Sequence, residues 1–282
     1  MTSNPKLLYL TLGTLIIFCL YANQVWALPH RLELKFLDIG QGDSILITTP
    51  HGRTMLIDGG PGVSILERLG EHTSFWTDQF DLLLLTHPDL DHLEGLVEVI
   101  QRYQVNQVML TGVIHHSNLY RAFLELLSQK NIPLIIVNPT QDWQLDEEVF
   151  LDIIWPAGDT VLQEYDNLND TSITIRLIYR DTSILLPGDI ESKAEHSILM
   201  SDRDIRADIL KSGHHGSQTS STSPFLRAVN PSSIIIQSGR ENPFNHPHLE
   251  TVLRYDQMDV EWTNTKDIGT ITIRSDGEKW EL

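Results

Sequence analysis

Short apolar runs that end in polar, histidine-bearing clusters recur along most of the chain. LELKFLDI (32–39) alternates apolar and polar positions, which predicts a strand, and Gly40-Gln41-Gly42-Asp43 ends it. SILITTP (44–50) and TMLIDGG (54–60) predict a hairpin around His51-Gly52-Arg53. A helix is predicted over 63–73. LLLLT (82–86) is continuously apolar, the pattern of a strand buried on both faces. It runs directly into His87-Pro88-Asp89-Leu90-Asp91-His92, and 93–103 then has helical spacing. A strand at 105–112, a helix near 117–130 and a strand at 133–138 repeat the β–α–β rhythm. FLDIIWP (150–156) is a further strand, and SITIRLIY with TSILLPGD predicts a second hairpin about Arg180-Asp181. A helix near 191–201, a strand at 207–213, a helix at 223–229, a strand at 232–239, a helix near 247–255 and a last strand at 269–274 follow. No repeat, low-complexity segment or linker interrupts the pattern. It predicts one mixed α/β domain over 29–282, two sheets covered outside by helices.

The first residues depart from this pattern. Residues 7–22 are almost wholly apolar and follow Lys6, with Asn23 and Gln24 after them and then Val25-Trp26-Ala27. No polar face recurs near a period of 3.6, which argues against a core helix. The segment reads as a signal peptide cleaved after Ala27 or, continued to Leu28, as an N-terminal apolar helix anchored in a membrane. Either reading makes 1–28 a targeting unit and puts the remainder outside the cytoplasm, secreted, periplasmic or tethered. Cys19, the single cysteine, lies within it, so no disulfide forms inside the chain. With 38 acidic against 20 basic side chains the net charge is −18, which excludes a broad basic track for nucleic acid but not local cation sites.

Chemistry concentrates where the strands end. His87, Asp89, Asp91 and His92 place four potential ligands within six residues. Carboxylates so close repel one another unless cations sit among them, and mixed imidazole and carboxylate donors suit Zn²⁺, Mn²⁺ or Fe. Leu186-Pro187-Gly188-Asp189, Lys211 through Ser217 with His214 and His215, and Asn242 through His248 with His246 occupy the same topological place. Ligands settle at the carboxyl ends of strands in α/β architectures. Lys211, Arg240 and Ser217 stand beside these clusters and could meet phosphate oxygens. His115-His116-Ser117 reads instead as an exposed helix cap, and His30, His51, His72 and His196 as surface histidines.

The series LDIGQGDS, LIDGG, THPDLDHLEG, LPGDIE and LKSGHHGS resembles the metallo-β-lactamase superfamily, and within it the soluble hydrolase domain of the DNA-uptake channel ComEC. The resemblance covers about 32–275. It implies an αββα sandwich of two mixed sheets holding two divalent ions, Zn²⁺ or Mn²⁺, at one edge. His87 and Asp89 would hold one ion, Asp91 and His92 the other, and Asp189 would bridge them. Asp58 would orient ligands from behind, with Asp43 and Asn169 as further supporting residues. His214 ranks first to complete the second site, while His215 and His246 are candidates for proton transfer or substrate contact. One departure stands out: the loop before the second hairpin, Asn167 to Ser172, has no histidine where the superfamily places a ligand, so either Asn169 or Asp170 supplies an oxygen there or the first site is loose or empty.

Three functions fit this reading. The first is an exported metal-dependent phosphodiesterase or nuclease acting on DNA or nucleotides, in which the ions make water reactive at neutral pH and stabilise developing oxyanion charge. The multispan region and oligonucleotide-binding domain of the ComEC channel are absent from the chain, so transport by it alone is not expected. The second is a metallo-hydrolase of lactone, thioester or β-lactam substrates. The third is a non-catalytic metal- or partner-binding module. No protein partner is inferable, and a membrane contact would run through 7–28.

Overall fold

A computed structural model describes residues 31–74, 77–137, 141–158 and 160–282. The expected signal or anchor at 1–28 lies outside the described residues. Among them, no helix is long and apolar enough to cross a membrane.

The first hydrophobic runs build an eight-stranded sheet. Its strands are β1 (Leu32–Phe36), β2 (Ile45–Thr48), β3 (Thr54–Ile57), β5 (Leu82–Leu84), β7 (Val108–Leu110), β8 (Leu134–Ile136), β16 (Ile271–Ser275) and β17 (Trp280–Glu281), in the order β17-β16-β1-β2-β3-β5-β7-β8. β1, β2 and β3 pair antiparallel, whereas β3, β5, β7 and β8 are parallel. The second sheet repeats this plan. β9 (Trp143–Asp146), β10 (Val149–Trp155), β11 (Thr174–Tyr179) and β12 (Thr182–Leu186) are antiparallel. β13 (Ile209–Lys211), β14 (Ser233–Ile236) and β15 (Glu261–Asn264) then continue parallel to β12. β4 (Gln79–Phe80) and β6 (Gln104–Val105) form a small separate ladder. α1 (Ser64–His72), α2 (Leu90–Arg102) and α3 (Asn118–Gln129) cover the first sheet, and α4 (Ser192–Leu199), α5 (Ser223–Val229) and α6 (Leu249–Gln257) the second. A short α7 (Thr265–Ile268) follows β15.

Strand periodicity explains the layering. In β5, Leu82 and Leu84 enter the core between the sheets while Leu83 packs outward under α2 and α3. In β12 and β13, Ile184, Leu186 and Ile209 point between the sheets, and Leu185 and Leu210 point toward α4 and α5. The result is the expected two-sheet sandwich with helices on both outer faces. The same alternation aims Lys211, two residues after Ile209, between the sheets, where it is 1% exposed.

Two glycines set how closely α2 approaches β3. A Cβ on Gly95 would lie 2.0 Å from the Gly59 carbonyl oxygen, and one on Gly59 would lie 2.3 Å from the Leu96 amide nitrogen. Gly59 N–H donates to His92 O at 2.8 Å and Gly95 N–H to Gly60 O at 2.9 Å. The start of α2 is thereby stitched to the loop after β3, which brings His92 beside Asp58. His92 belongs to the buried stripe of α2 with Leu93, Leu96, Val99 and Ile100.

Candidate metal centre

Five strands deliver functional groups, four through side chains and β14 through a backbone carbonyl, to one end of the sandwich. Asp58 follows β3, His87 follows β5, Asp189 follows β12, His214 and His215 follow β13, and Gln237 follows β14. Asp91 and His92 enter from the first turn of α2, and Asp43 from the loop before β2. Among the described residues, four overlapping groups have ligand atoms within 4.8 Å of one another: His87, His92 and Asp189; Asp91, His92 and His215; Asp43, Asp189 and His215; and Asp43, Asp58 and His92.

Three histidines are held from behind through Nδ1 and present Nε2 inward. His92 Nδ1 donates to Asp58 Oδ2 at 2.8 Å, which leaves Nε2 facing Asp189 Oδ2 at 3.2 Å. His215 Nδ1 donates to the Gln237 carbonyl at 3.1 Å, and its Nε2 lies 3.1 Å from Asp189 Oδ2 and 3.3 Å from Asp91 Oδ2. His87 Nδ1 sits 3.1 Å from both Thr86 Oγ1 and Ser172 Oγ. The Thr86 hydroxyl already donates to Asp58 Oδ2 at 2.7 Å, so His87 Nδ1 carries the proton and Nε2 the lone pair. Anchoring one ring nitrogen to free the other is how metal-ligating histidines are oriented.

The donor set suits divalent cations on two counts. Asp43, Asp58, Asp91 and Asp189 face one permanent cation, Lys211, among the described residues of the cluster. In addition, His87 Nε2 and Asp189 Oδ1 are buried without a hydrogen-bond partner. Buried polar atoms seldom stay unpaired, and a shared target that accepts both imidazole and carboxylate lone pairs is a metal ion.

Without ions, the histidines balance the charge. Burial disfavours charge on His92, but the carboxylates of Asp189, Asp58 and Asp91 outweigh it and hold its imidazole well above its ordinary range. His215 behaves alike, with burial outweighed by Asp189 and Asp43. Burial would raise Asp189, yet His215 and His92 hold it well below the usual carboxylate range. Asp91 is also lowered, by His92 and His215 against burial. Burial together with the neighbouring His215 and His214 pushes His246 down to about 3.

The remaining sequence-derived candidates take varied places. Asp89 stands at the N-cap of α2 but makes no capping hydrogen bond, and its Oδ2 lies 3.6 Å from His87 Nε2. His214 sits at the rim, with Nε2 4.0 Å from Asp189 Oδ2 and Nδ1 3.3 Å from Glu191 Oε1. Of the adjacent pair it is thus His215 that enters the close groups. Both adopt left-handed backbone, φ 46° and 54°, which turns the adjacent rings to different depths and leaves local strain at the centre. Asn169 faces away, donating to Glu191 Oε1 at 3.3 Å, and Asp170 accepts from the Glu191 amide at 3.0 Å. Neither supplies an oxygen to the close groups. His246 packs against both histidines, ring centroids 5.4 Å from His214 and 6.0 Å from His215. Gly239 N–H donates to Gln41 Oε1, which turns Gln41 Nε2 toward His246 Nδ1 at 3.4 Å and leaves Nε2 as the donor of that neutral ring.

Two expected phosphate contacts are corrected by burial. Lys211 is ion-paired with Asp43, donates to Ser212 O at 3.1 Å and has no surface to offer a substrate. Ser217 is 4% exposed and its hydroxyl is committed to the Thr219 hydroxyl and amide at 2.9 and 3.3 Å. Conversely, Thr86, Ser172, Gln237 and Glu191 support the centre unannounced. Their signal in the sequence is position alone, since each directly follows or adjoins a ligand-bearing strand.

The comparisons agree with this fold. A family model described as the metallo-β-lactamase superfamily matches residues 37–236. The chain is 27% identical over 259 residues to the ComE operon protein 3 of Bacillus subtilis, covering 86% of this chain and 33% of that protein. It is 26% identical over 273 residues to Recombination protein 2 of Haemophilus influenzae, covering 95% of this chain and 31% of that one. The chain therefore spans about a third of the length of these curated relatives. The fold is similar to that of YhfI, a metallo-β-lactamase fold protein of Bacillus subtilis, with a TM-score of 0.55, 11% identity, and coverage of 85% of this chain and 98% of that one.

Proposed function

Because the chain belongs to the metallo-β-lactamase superfamily and is ComEC-like, we propose that it is a metal-dependent hydrolase of phosphodiester bonds in DNA or nucleotides. The convergence of His87, His92 and His215 Nε2 on Asp189, in a cluster rich in carboxylates, is the observation that carries this reading. His87, Asp91, His92, Asp189 and His215 would hold two divalent ions, Zn²⁺ or Mn²⁺, with Asp89 beside His87. When bound, such ions lower the pKa of water and stabilise negative charge on phosphate oxygens. The dense local negative charge is thereby cancelled, so a phosphodiester can approach an acidic protein.

The chain's own residues have separate tasks in this reaction. Asp58 fixes the tautomer and direction of His92, and Gln237 those of His215. Asp43 and Lys211 brace Asp189 and His215 from below. Beside the close groups His246, though only 5% exposed, donates a hydrogen bond from Nε2–H to a phosphate oxygen, and His214 at the rim, backed by Glu191, returns a proton to the leaving oxygen. Overall, the water oxygen joins phosphorus, the ester P–O bond breaks and the proton of water ends on the departing alcohol.

The relative named Recombination protein 2 supports nucleic acid as the substrate. The apolar stretch at 7–22 and the ComEC likeness support action outside the cytoplasm, with a membrane tether if that stretch is retained. The test is turnover by the full chain with Mn²⁺ or Zn²⁺ on single-stranded DNA, bis-p-nitrophenyl phosphate and nitrocefin. Cleavage of the two phosphodiesters is expected. Nitrocefin hydrolysis without phosphodiester cleavage would overturn the assignment, and two bound ions without any turnover would make the protein a binding module.

A further inference from the structure

A ladder of rings leads from the metal centre to solvent. The His246 ring touches those of His214 and His215 on its inner side. On its outer side it stacks with Phe244, centroids 5.6 Å apart and planes 23° from parallel. Phe244 is 56% exposed, so its outer face is open to solvent. The loop that carries it is held in place. Asn242 Nδ2 donates to Gly239 O at 2.8 Å and to His246 O at 3.0 Å, and Asn242 Oδ1 accepts from the His246 amide at 2.8 Å. Phe244 is therefore an open aromatic face on a clamped loop, one ring away from His215.

We propose that Phe244 is a substrate-positioning residue that stacks on a nucleobase next to the scissile phosphate, making single-stranded nucleic acid the preferred substrate. This rests on the phosphodiesterase reading above. The charge balance shows why such a platform is needed. At −18 the protein repels a polyanion, and Lys211, the cation within the cluster, is buried in ion pairs. Beyond the ions and the exposed Arg240, base–aromatic stacking adds affinity for a single strand that does not depend on phosphate charge. In a duplex both faces of each base are already covered by neighbours, so the ring has nothing to stack on.

The experiment compares kcat/KM of the full chain with Mn²⁺ on two single strands of equal length, one of adenine nucleotides and one of abasic spacers. The wild type should prefer the adenine strand by about tenfold or more, the scale of one stacked base. Phe244→Ala should lose most of that preference, while Phe244→Trp should keep it. The preference should also persist as salt rises, since stacking releases no counterions. A wild type that treats both strands equally, or a Phe244→Ala variant with undiminished preference, overturns the stacking role. In that case, continued cleavage of bis-p-nitrophenyl phosphate leaves the phosphodiesterase reading standing; no cleavage of any phosphodiester removes both.

Discussion

Lys211 gives the sharpest test of how the centre is balanced. Methionine matches the lysine stem in size and removes only the ammonium, so Lys211→Met changes electrostatics with little change in packing. The ammonium is 1% exposed, paired with Asp43 (also 1% exposed), and 3.8 Å from Asp189 Oδ1. Burial disfavours its charge, but Asp43 and Asp189 outweigh that and raise it above the ordinary lysine range. Removing one partner of such a pair strands a buried carboxylate and costs about 3–5 kcal/mol. In a domain of this size each kcal/mol moves Tm by about 2–4 °C, so a fall of about 6–20 °C is expected. Adding Asp43→Asn removes the stranded charge, and the double variant should recover at least half the loss. Thermal and urea melts in EDTA measure this without interference from bound ions. A single variant within about 1 kcal/mol of wild type, or a double variant no better than the single, would refute the reasoning.

Other expectations follow from the same contacts. Asp58→Asn keeps the shape but weakens the acceptor that orients His92 Nδ1 at 2.8 Å, so metal affinity should fall about 10–100-fold in a competition titration while the fold survives. An undiminished affinity would mean that Asp58 does not set the direction of His92. His116→Ala should leave metal content, turnover and Tm as they are, because that side chain is 78% exposed and pairs with Glu164 at the surface. A large loss there would place a ligand outside the described cluster.

Much of this architecture is legible in the chain because strand ends and ligand clusters coincide. The apolar run 82–86 reads as a strand covered on both faces, and β5 is one. The elements that escape notice are β9, β15 and β17, whose half-buried or exposed polar positions lack a clean period, β4 and β6, two residues each, and the single-turn α7. PLIIVN does form β8, yet Leu134 and Ile136 are exposed because it is the last strand of its sheet, and an apolar run says nothing of who lies beside it. Within the site, composition cannot separate His214 from His215. Only the left-handed turn through both shows which ring goes deep. Lys211 misleads for the opposite reason: a lysine next to a ligand loop suggests solvent, whereas the two-residue period after Ile209 carries it between the sheets. The missing loop histidine likewise conceals its outcome, since Asn169 and Asp170 turn to Glu191 and Ser172 instead holds His87.

The proposed activity requires these distant side chains to grip two divalent ions through Asp189. Titration of the metal-stripped full chain with Mn²⁺ or Zn²⁺, with wild type and Asp189→Ala compared by calorimetry and elemental analysis, tests it most directly. About two ions per wild-type chain are expected, and in the variant loss of at least one with a steep fall in affinity for the other. A wild type that retains no divalent ion, or a variant that binds as many as tightly, would contradict it.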